Sequence, residues 1–404
     1  MLRAIAVLMI VFQHIEYLLN WPANPYHFIR NQFGFWGGVD LFFCISGYVI
    51  ARTLMGEIAA VSGPATVSNF AVPFWMRRAW RLWPAGWFWA ATALILSVAF
   101  NRSGTFGEPA AMGRDALAAV LHYANIHWMH CFNYGTGLCN LAGMGEVDAP
   151  NIKGWLLAIY WSLSLEEQFY LLLPAFFLLL PRRLLVWLLL VGISAQITLG
   201  RPPLSVLWYF RTDALLIGVV LAIAETSRPA NLHGAFRSID RHSLLAKIIA
   251  LPLVLAIARL GAGQYDQLRY ATGLIAVASG CLVWLASLDQ NHLVLLGGRL
   301  RAMAWLGSRS YSVYLTHLIA FAVIREGWSR MPFGHPSLTW VTSTIYLVSA
   351  LVLTIIFAEC SFRMIERPLR QFGRRLVAKR YRPSYGRSAG DPSSVSSSET
   401  SILN

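Results

Sequence analysis

Charge is what this 404-residue sequence has least of. Charged residues make up 13% and apolar residues 56%, whereas a soluble domain carries about a quarter charged residues. That shortage excludes an ordinary water-soluble globular domain. Acidic residues are scarcer still, 19 against 33 Lys and Arg, for a net charge of +14. Such basicity could point to nucleic acid, but the basic residues flank apolar segments. That placement belongs to membrane topology and anionic headgroups, so lipid is the expected partner and nucleic acid is not. The five cysteines, at 44, 131, 139, 281 and 360, follow no metal-binding spacing. Cys44, Cys281 and Cys360 read as packing residues; Cys131 and Cys139 share a polar loop where a disulfide is open to them on an extracytoplasmic side. His122, His127, His130, Glu146 and Asp148 lie in the same loop, 101–154. They are spaced too loosely to argue for a metal site, and no metal is expected. Internal repeats are absent too, which counts against a transporter built on repeated halves.

What the sequence has in abundance is apolar runs. They predict an all-α, polytopic membrane bundle of about ten transmembrane helices, at 1–20, 34–54, 76–100, 155–180, 184–200, 206–225, 244–260, 269–288, 304–325 and 338–361. No polar linker breaks the series, so residues 1–370 form one membrane domain. Residues 371–404 read as a basic, then Ser-rich, disordered cytoplasmic tail. The first run lacks a basic leader and a clear cleavage site and carries His14 and Glu16, so it reads as retained rather than as a signal peptide. With the N-terminus inside, 23 of the 33 Lys and Arg fall on the inner side, which predicts both termini in the cytoplasm.

Polar groups inside the apolar runs carry the chemistry. Arg3 and His14 are eleven residues apart, three helical turns plus about 20°, so they share a face and lie about 16 Å apart along the axis. With Arg3 at one surface, His14 falls near the midplane, where an ionisable group needs a polar cavity. Arg78 and Arg81, at i and i+3 in Arg77-Arg78-Ala-Trp-Arg81-Leu-Trp-Pro84, project from one face and suit phosphate oxygens. The bland alternative is that they anchor topology by reaching for headgroups. Trp161-Ser-Leu-Ser-Leu-Glu166-Glu167-Gln-Phe-Tyr170 places two adjacent carboxylates about 100° apart, so that one faces a cavity while the other pairs with a cation. Asp40, the Arg211/Asp213 island and the stripe Ser310, Tyr314 and His317, with Tyr311 beside it, add further polar groups. Singly each is a common helix–helix hydrogen bond; together they describe a polar cavity through the bundle.

These stretches resemble the membrane-bound acyltransferase 3 family, O-acyltransferases of surface carbohydrates. The resemblance rests on seven segments in order: Leu2-Arg3-Ala with His14; Gly38-Val-Asp40-Leu-Phe-Phe with Ser46-Gly47-Tyr48; Arg78-x-x-Arg81 with Pro84; the Trp161–Tyr170 stretch; Arg211-x-Asp213 with Gly218; Ser310-Tyr311-Ser-Val-Tyr314-Leu-Thr-His317; and Ile365-Glu366-Arg-Pro368. It implies a functional core of Arg3, His14, Arg78 and Arg81. The co-substrate it implies is acyl-CoA, most often acetyl-CoA, with no bound cofactor. His14 would act as general base or transient acyl carrier, Glu166 or Glu167 would orient it or balance a cavity arginine, and Arg3, Arg78, Arg81, Asp40, Arg211, Tyr311, Tyr314 and His317 would bind substrates. The acceptor implied is a hydroxyl of an extracytoplasmic carbohydrate, such as O-antigen, exopolysaccharide or a lipo-oligosaccharide, and the location is the bacterial inner membrane. Two departures accompany the resemblance. The short Asp-Gly segment that family members place before Leu-Arg-Ala is not present ahead of Met1. Nor do the residues after about 370 suffice for the extracytoplasmic hydrolase domain some relatives carry, so the chain would act alone or with a separate extracytoplasmic partner. Nothing in the sequence specifies an oligomeric state. A transporter or flippase for a lipid-linked glycan or anionic metabolite is the alternative reading, one in which loss of His14 would change affinity rather than abolish turnover.

Overall fold

Long apolar runs must satisfy their backbone internally, and helices do this. The computed structural model of the protein describes residues 1–15, 29, 31–60, 65–135, 139, 155–226, 243–265, 268–288, 301–331 and 340–381, and it is helical throughout, with no strand among the described residues. Six helical stretches are long and apolar enough to cross a membrane: Gly38–Ala59, Val67–Ala99, Trp155–Leu179, Val206–Thr226, Ala271–Leu288 and Val341–Arg380. Leu2–His14 and Ile248–Leu260 are shorter apolar helices.

In chain order the helices are α1 (Leu2–His14), α2 (Gly38–Ala60), α3 (Val72–Ala99), α4 (Pro109–Val120), α5 (Ala124–Tyr134), α6 (Tyr160–Leu179) and α7 (Arg182–Thr198). Then follow α8 (Asp213–Thr226), α9 (Ser243–Leu260), α10 (Ala271–Leu288), α11 (Arg301–Ser308), α12 (Ser310–Ser329), α13 (Trp340–Ser361) and α14 (Arg367–Arg380). The structure differs from the sequence expectation in three places. The predicted loop 101–154 contains α4 and α5, the predicted helix 304–325 is divided at Arg309 into α11 and α12, and residues 371–380 are not tail. They continue α14, whose Gly373 packs so tightly on α3 that a Cβ there would lie 2.4 Å from Trp80 Cβ. Glu16, Glu146, Asp148 and the tail from 382 onward lie outside the described residues.

The packing that positions the site is the α2–α8 contact. A Cβ on Gly47 would lie 2.1 Å from the Leu215 carbonyl oxygen, and one on Gly218 would lie 2.2 Å from that of Cys44. Only glycine allows this backbone-to-backbone approach, the usual device of helices packed without a hydrophobic drive between them. It brings Asp40 at the start of α2 against Arg211 just before α8. Both are fully buried, paired through Arg211 Nε to Asp40 Oδ1 at 3.0 Å and Nη2 to Oδ2 at 3.2 Å. Arg201 and Asp213 form a second buried pair, at 3.0 and 2.5 Å. Each carboxylate thus neutralises a guanidinium that would otherwise be prohibitively costly to bury.

Candidate active site

Two cavities meet inside the bundle. The first, of about 730 Å³ including the space at its mouth, is lined by Arg3, Arg78 and Arg81 together with Ser46, Glu166 and Tyr170. The second, of about 1730 Å³, has a wall of aromatic rings, among them Trp36, Trp128, Trp155, Trp161, Trp208 and Tyr209, and it also contains His14. Ile10, Val39 and Tyr314 line both. The septum between them is therefore three side chains, and His14 stands one helical turn from Ile10 on α1.

The arginine cavity is electrostatically unbalanced. Among the described residues, Arg3, Arg78 and Arg81 make no hydrogen bond and no ion pair; Arg78 only rests over the rings of Phe74 and Tyr170, at 5.6 Å from each centroid. The one carboxylate in its lining, Glu166, is taken up by the hydroxyls of Ser46 and Tyr170, which also bond each other. Elsewhere in the protein, arginines near acids use them: Arg77 meets Glu57, Arg309 and Arg363 meet Glu359, and Arg201 and Arg211 meet aspartates. Three unpaired guanidiniums on one cavity wall form a site for an anion with several oxygens.

His14 and His317 form a hydrogen-bonded ring pair. His14 Nδ1 lies 2.8 Å from His317 Nε2, with ring centroids 5.0 Å apart. His317 Nδ1 faces two acceptors, the carbonyls of Tyr314 at 2.8 Å and Val313 at 3.2 Å. Carbonyls only accept, so in the neutral pair Nδ1 of His317 carries its hydrogen and Nε2 its lone pair. His14 Nδ1 then donates to that lone pair, which leaves Nε2 as the basic nitrogen of His14.

The remaining sequence-predicted residues fall in distinct places. Glu167 does not line either cavity: it accepts from Trp83 Nε1 at 2.5 Å and meets His122 Nδ1 at 3.3 Å, and among the described residues no arginine pairs with it. Burial pushes the His122 ring down to about 4. The ring partner of His14 is His317 rather than either glutamate. Asp40 serves Arg211, and Arg211 itself faces the aromatic cavity with its guanidinium 3.8 Å from the Trp208 ring centroid and 4.6 Å from that of Trp161. Tyr311 lines the arginine cavity and donates to the Leu82 carbonyl at 2.7 Å, while Tyr160 donates to that of Gly86, also at 2.7 Å. These two bonds brace α3 on both sides of its interior Pro84. Tyr314 bonds the Ile159 carbonyl and Ser162 Oγ, at 3.0 and 2.7 Å, so the septum is held firmly. Cys131 and Cys139 are joined as a disulfide just beyond Trp128 in the aromatic wall, and His127 beside them meets Asp115 at 2.7 Å.

Sequence reasoning named Ser46 and Tyr170 within motifs but gave neither a role at the site. The signal was available, because Tyr170 is four residues after Glu166 and so shares its helix face.

Residues 1–359 match the family model described as an acyltransferase domain. Among curated proteins, the chain is 28% identical over 400 residues to a Bacillus subtilis protein provisionally named a peptidoglycan O-acetyltransferase, covering 94% of this chain and 55% of that one. It is 27% identical to the peptidoglycan O-acetyltransferase of Listeria monocytogenes (92% and 55% covered) and 27% identical to an O-acetyltransferase of Staphylococcus aureus (92% and 57%). The chain thus spans about half the length of the curated relatives it matches. No solved structure matches it significantly.

Proposed function

Because the chain belongs to the acyltransferase-domain family, we propose that it moves an acetyl group from cytoplasmic acetyl-CoA to a hydroxyl of an extracytoplasmic polysaccharide, acting in the bacterial inner membrane with both termini inside. The observation that carries this reading is the pair of cavities: one lined by three arginines without a partner among the described residues, the other by aromatic rings and His14, which stands one helical turn from the shared Ile10. The arginine cavity offers what the phosphates of CoA require, and the excess of basic residues on that side argues for a cytoplasmic mouth. The opposite cavity suits a sugar. Its rings present apolar faces to C–H bonds, and the buried indole N–H groups of Trp128 and Trp208 meet no acceptor among the described residues, so hydroxyl oxygens can take them. The names of the relatives, peptidoglycan O-acetyltransferase above all, favour a glycan acceptor.

In the step proposed, the acceptor hydroxyl attacks the thioester carbonyl carbon while His14 Nε2 takes its proton. The C–O bond forms, the C–S bond breaks, and the imidazolium returns the proton to the departing thiolate. His317 holds the His14 ring in the tautomer whose Nε2 is basic. Glu166, with Ser46 and Tyr170, adds a partial counter-charge to the arginine wall. Membrane lipid is the surrounding partner, and a separate extracytoplasmic protein is a candidate to pass the group onward.

The test supplies radiolabelled acetyl-CoA to membranes containing the wild-type protein or His14→Ala and follows label into extracted glycans. The proposal expects label that requires His14. Label of equal intensity in the variant would refute the role given to the histidine, and glycan export without label would favour the transporter reading.

A further inference from the structure

Beside the arginine wall stands a further arginine that the family match, ending at residue 359, does not reach. Arg370 lies on α14, whose course is fixed against α3 by Gly373 on Trp80 and by the Trp80 and Phe372 rings, 4.9 Å apart. Arg370 is one helical turn from Gly373 and so lies on the same face. That places its charge within interaction range of Arg81, with Glu366 beside both. Glu366 is committed to Ser312 Oγ at 2.9 Å. Among the described residues Arg370 makes no hydrogen bond or ion pair, and the Nε atoms of both Arg81 and Arg370 are buried without an acceptor. Two guanidiniums within interaction range repel, and the arrangement persists at least cost when an anion lies between them. Across the whole cluster Arg3, Arg78, Arg81 and Arg370 stand against Glu166 and Glu366, a surplus of two positive charges.

Resting on the donor reading above, we infer that Arg370 and Arg81 clamp the outermost phosphate of the acyl donor, the 3′-phosphate of its nucleotide. The order of parts supports this. The thioester must reach the septum at Tyr314, Arg3, Arg78 and Arg81 line the cavity that leads to it, and Arg370, outside that lining, is within interaction range of Arg81. The 3′-phosphate is the part of CoA farthest from the thioester. A phosphate of the same chemistry could also come from an anionic lipid headgroup, so the test separates the two sources.

Purified full-length protein is placed in nanodiscs of phosphatidylcholine alone or with phosphatidylglycerol, and binding of CoA and of 3′-dephospho-CoA is measured by calorimetry. The wild type is expected to prefer CoA by about tenfold or more, the scale of a charge-assisted phosphate contact. Arg370→Gln is expected to bring that ratio close to one while binding of 3′-dephospho-CoA stays unchanged. Arg374→Gln, which removes an exposed charge one turn further on, is expected to leave the ratio intact. Equal affinity of the wild type for the two nucleotides overturns the inference, as does a ratio that survives Arg370→Gln. Fewer bound phosphatidylglycerol molecules in native mass spectra of Arg370→Gln, with the nucleotide ratio unchanged, would assign the guanidinium to a headgroup instead. Absence of all CoA binding to the wild type would fell the donor reading itself, a different result from either.

Discussion

Asp40→Asn tests the division between residues that hold the bundle and residues that hold substrate. In the wild type the Asp40 carboxylate accepts two hydrogen bonds from Arg211, and both groups are fully buried. Removing one member of such a pair costs about 3–5 kcal/mol, because the remaining charge has no solvent to turn to. Two features soften the loss. Asparagine keeps one carbonyl acceptor, and the rings of Trp208, Trp161 and Trp36 stay over the guanidinium at 3.8, 4.6 and 5.3 Å, contacts worth about 0.5–2 kcal/mol each that the mutation leaves in place. The expected net cost is about 2–3 kcal/mol for Asn, and for Asp40→Ala the full range of about 3–5 kcal/mol. Reversible unfolding in mixed micelles, followed by tryptophan fluorescence, reads this directly. The double variant Asp40→Asn/Arg211→Met removes both charges and should recover at least half of the loss. Unfolding midpoints that match the wild type in Asp40→Asn, combined with a raised KM for donor or acceptor, would refute the structural role and return Asp40 to substrate binding.

Three further outcomes follow from the same contacts. Arg78→Gln should weaken CoA binding about tenfold or more yet leave the ligand-free protein as stable as the wild type or slightly more so, since it relieves repulsion with Arg3 and Arg81; a destabilised ligand-free protein in thermal unfolding would show that Arg78 has a structural partner. Gly218→Val must displace the Cys44 carbonyl that a Cβ would approach to 2.2 Å. It should cost several kcal/mol or prevent folding, whereas native-like yield and melting temperature would show that α2 and α8 do not pack backbone to backbone. Cys139→Ser opens an eight-residue separation and should cost about 2.5 kcal/mol by the loop-entropy relation. Insensitivity of the wild type to reductant in the same unfolding assay would contradict that value.

How much of this could be read in the sequence depended on range. Local spacing worked where one helix carries both groups. The eleven residues from Arg3 to His14 place one side chain in each of two adjoining cavities, because helical rise and twist are constants. The apolar runs foretold an all-helical membrane protein for the same reason. Pairings across the chain were not legible. Arg211 finds Asp40 171 positions away, and His14 finds His317 303 positions away, and no periodicity encodes which helix becomes a neighbour. Three helices, α4, α5 and α14, were missed because hydropathy was the guide. The stretch Pro109–Val120 is an Ala-rich helix with proline in its first turn, a start signal that could have been used. Residues 371–380 were read as disordered from their charge, although Leu369, Gly373, Leu376 and Val377 form the stripe that seats α14 on its neighbours. The adjacent glutamates show the opposite lesson. The 100° offset correctly separated their directions, but Glu167 found a tryptophan and a histidine where a cation was expected.

Sidedness is the decisive property, because the proposed function gives the two cavities to opposite faces of the membrane. Sealed inverted and right-side-out vesicles carrying the protein would each receive labelled acetyl-CoA on the outside only. The account predicts labelled glycan in the lumen of inverted vesicles, none in intact right-side-out vesicles, and loss of the signal in His14→Ala. Label appearing in intact right-side-out vesicles, or in inverted vesicles independently of His14, would contradict it.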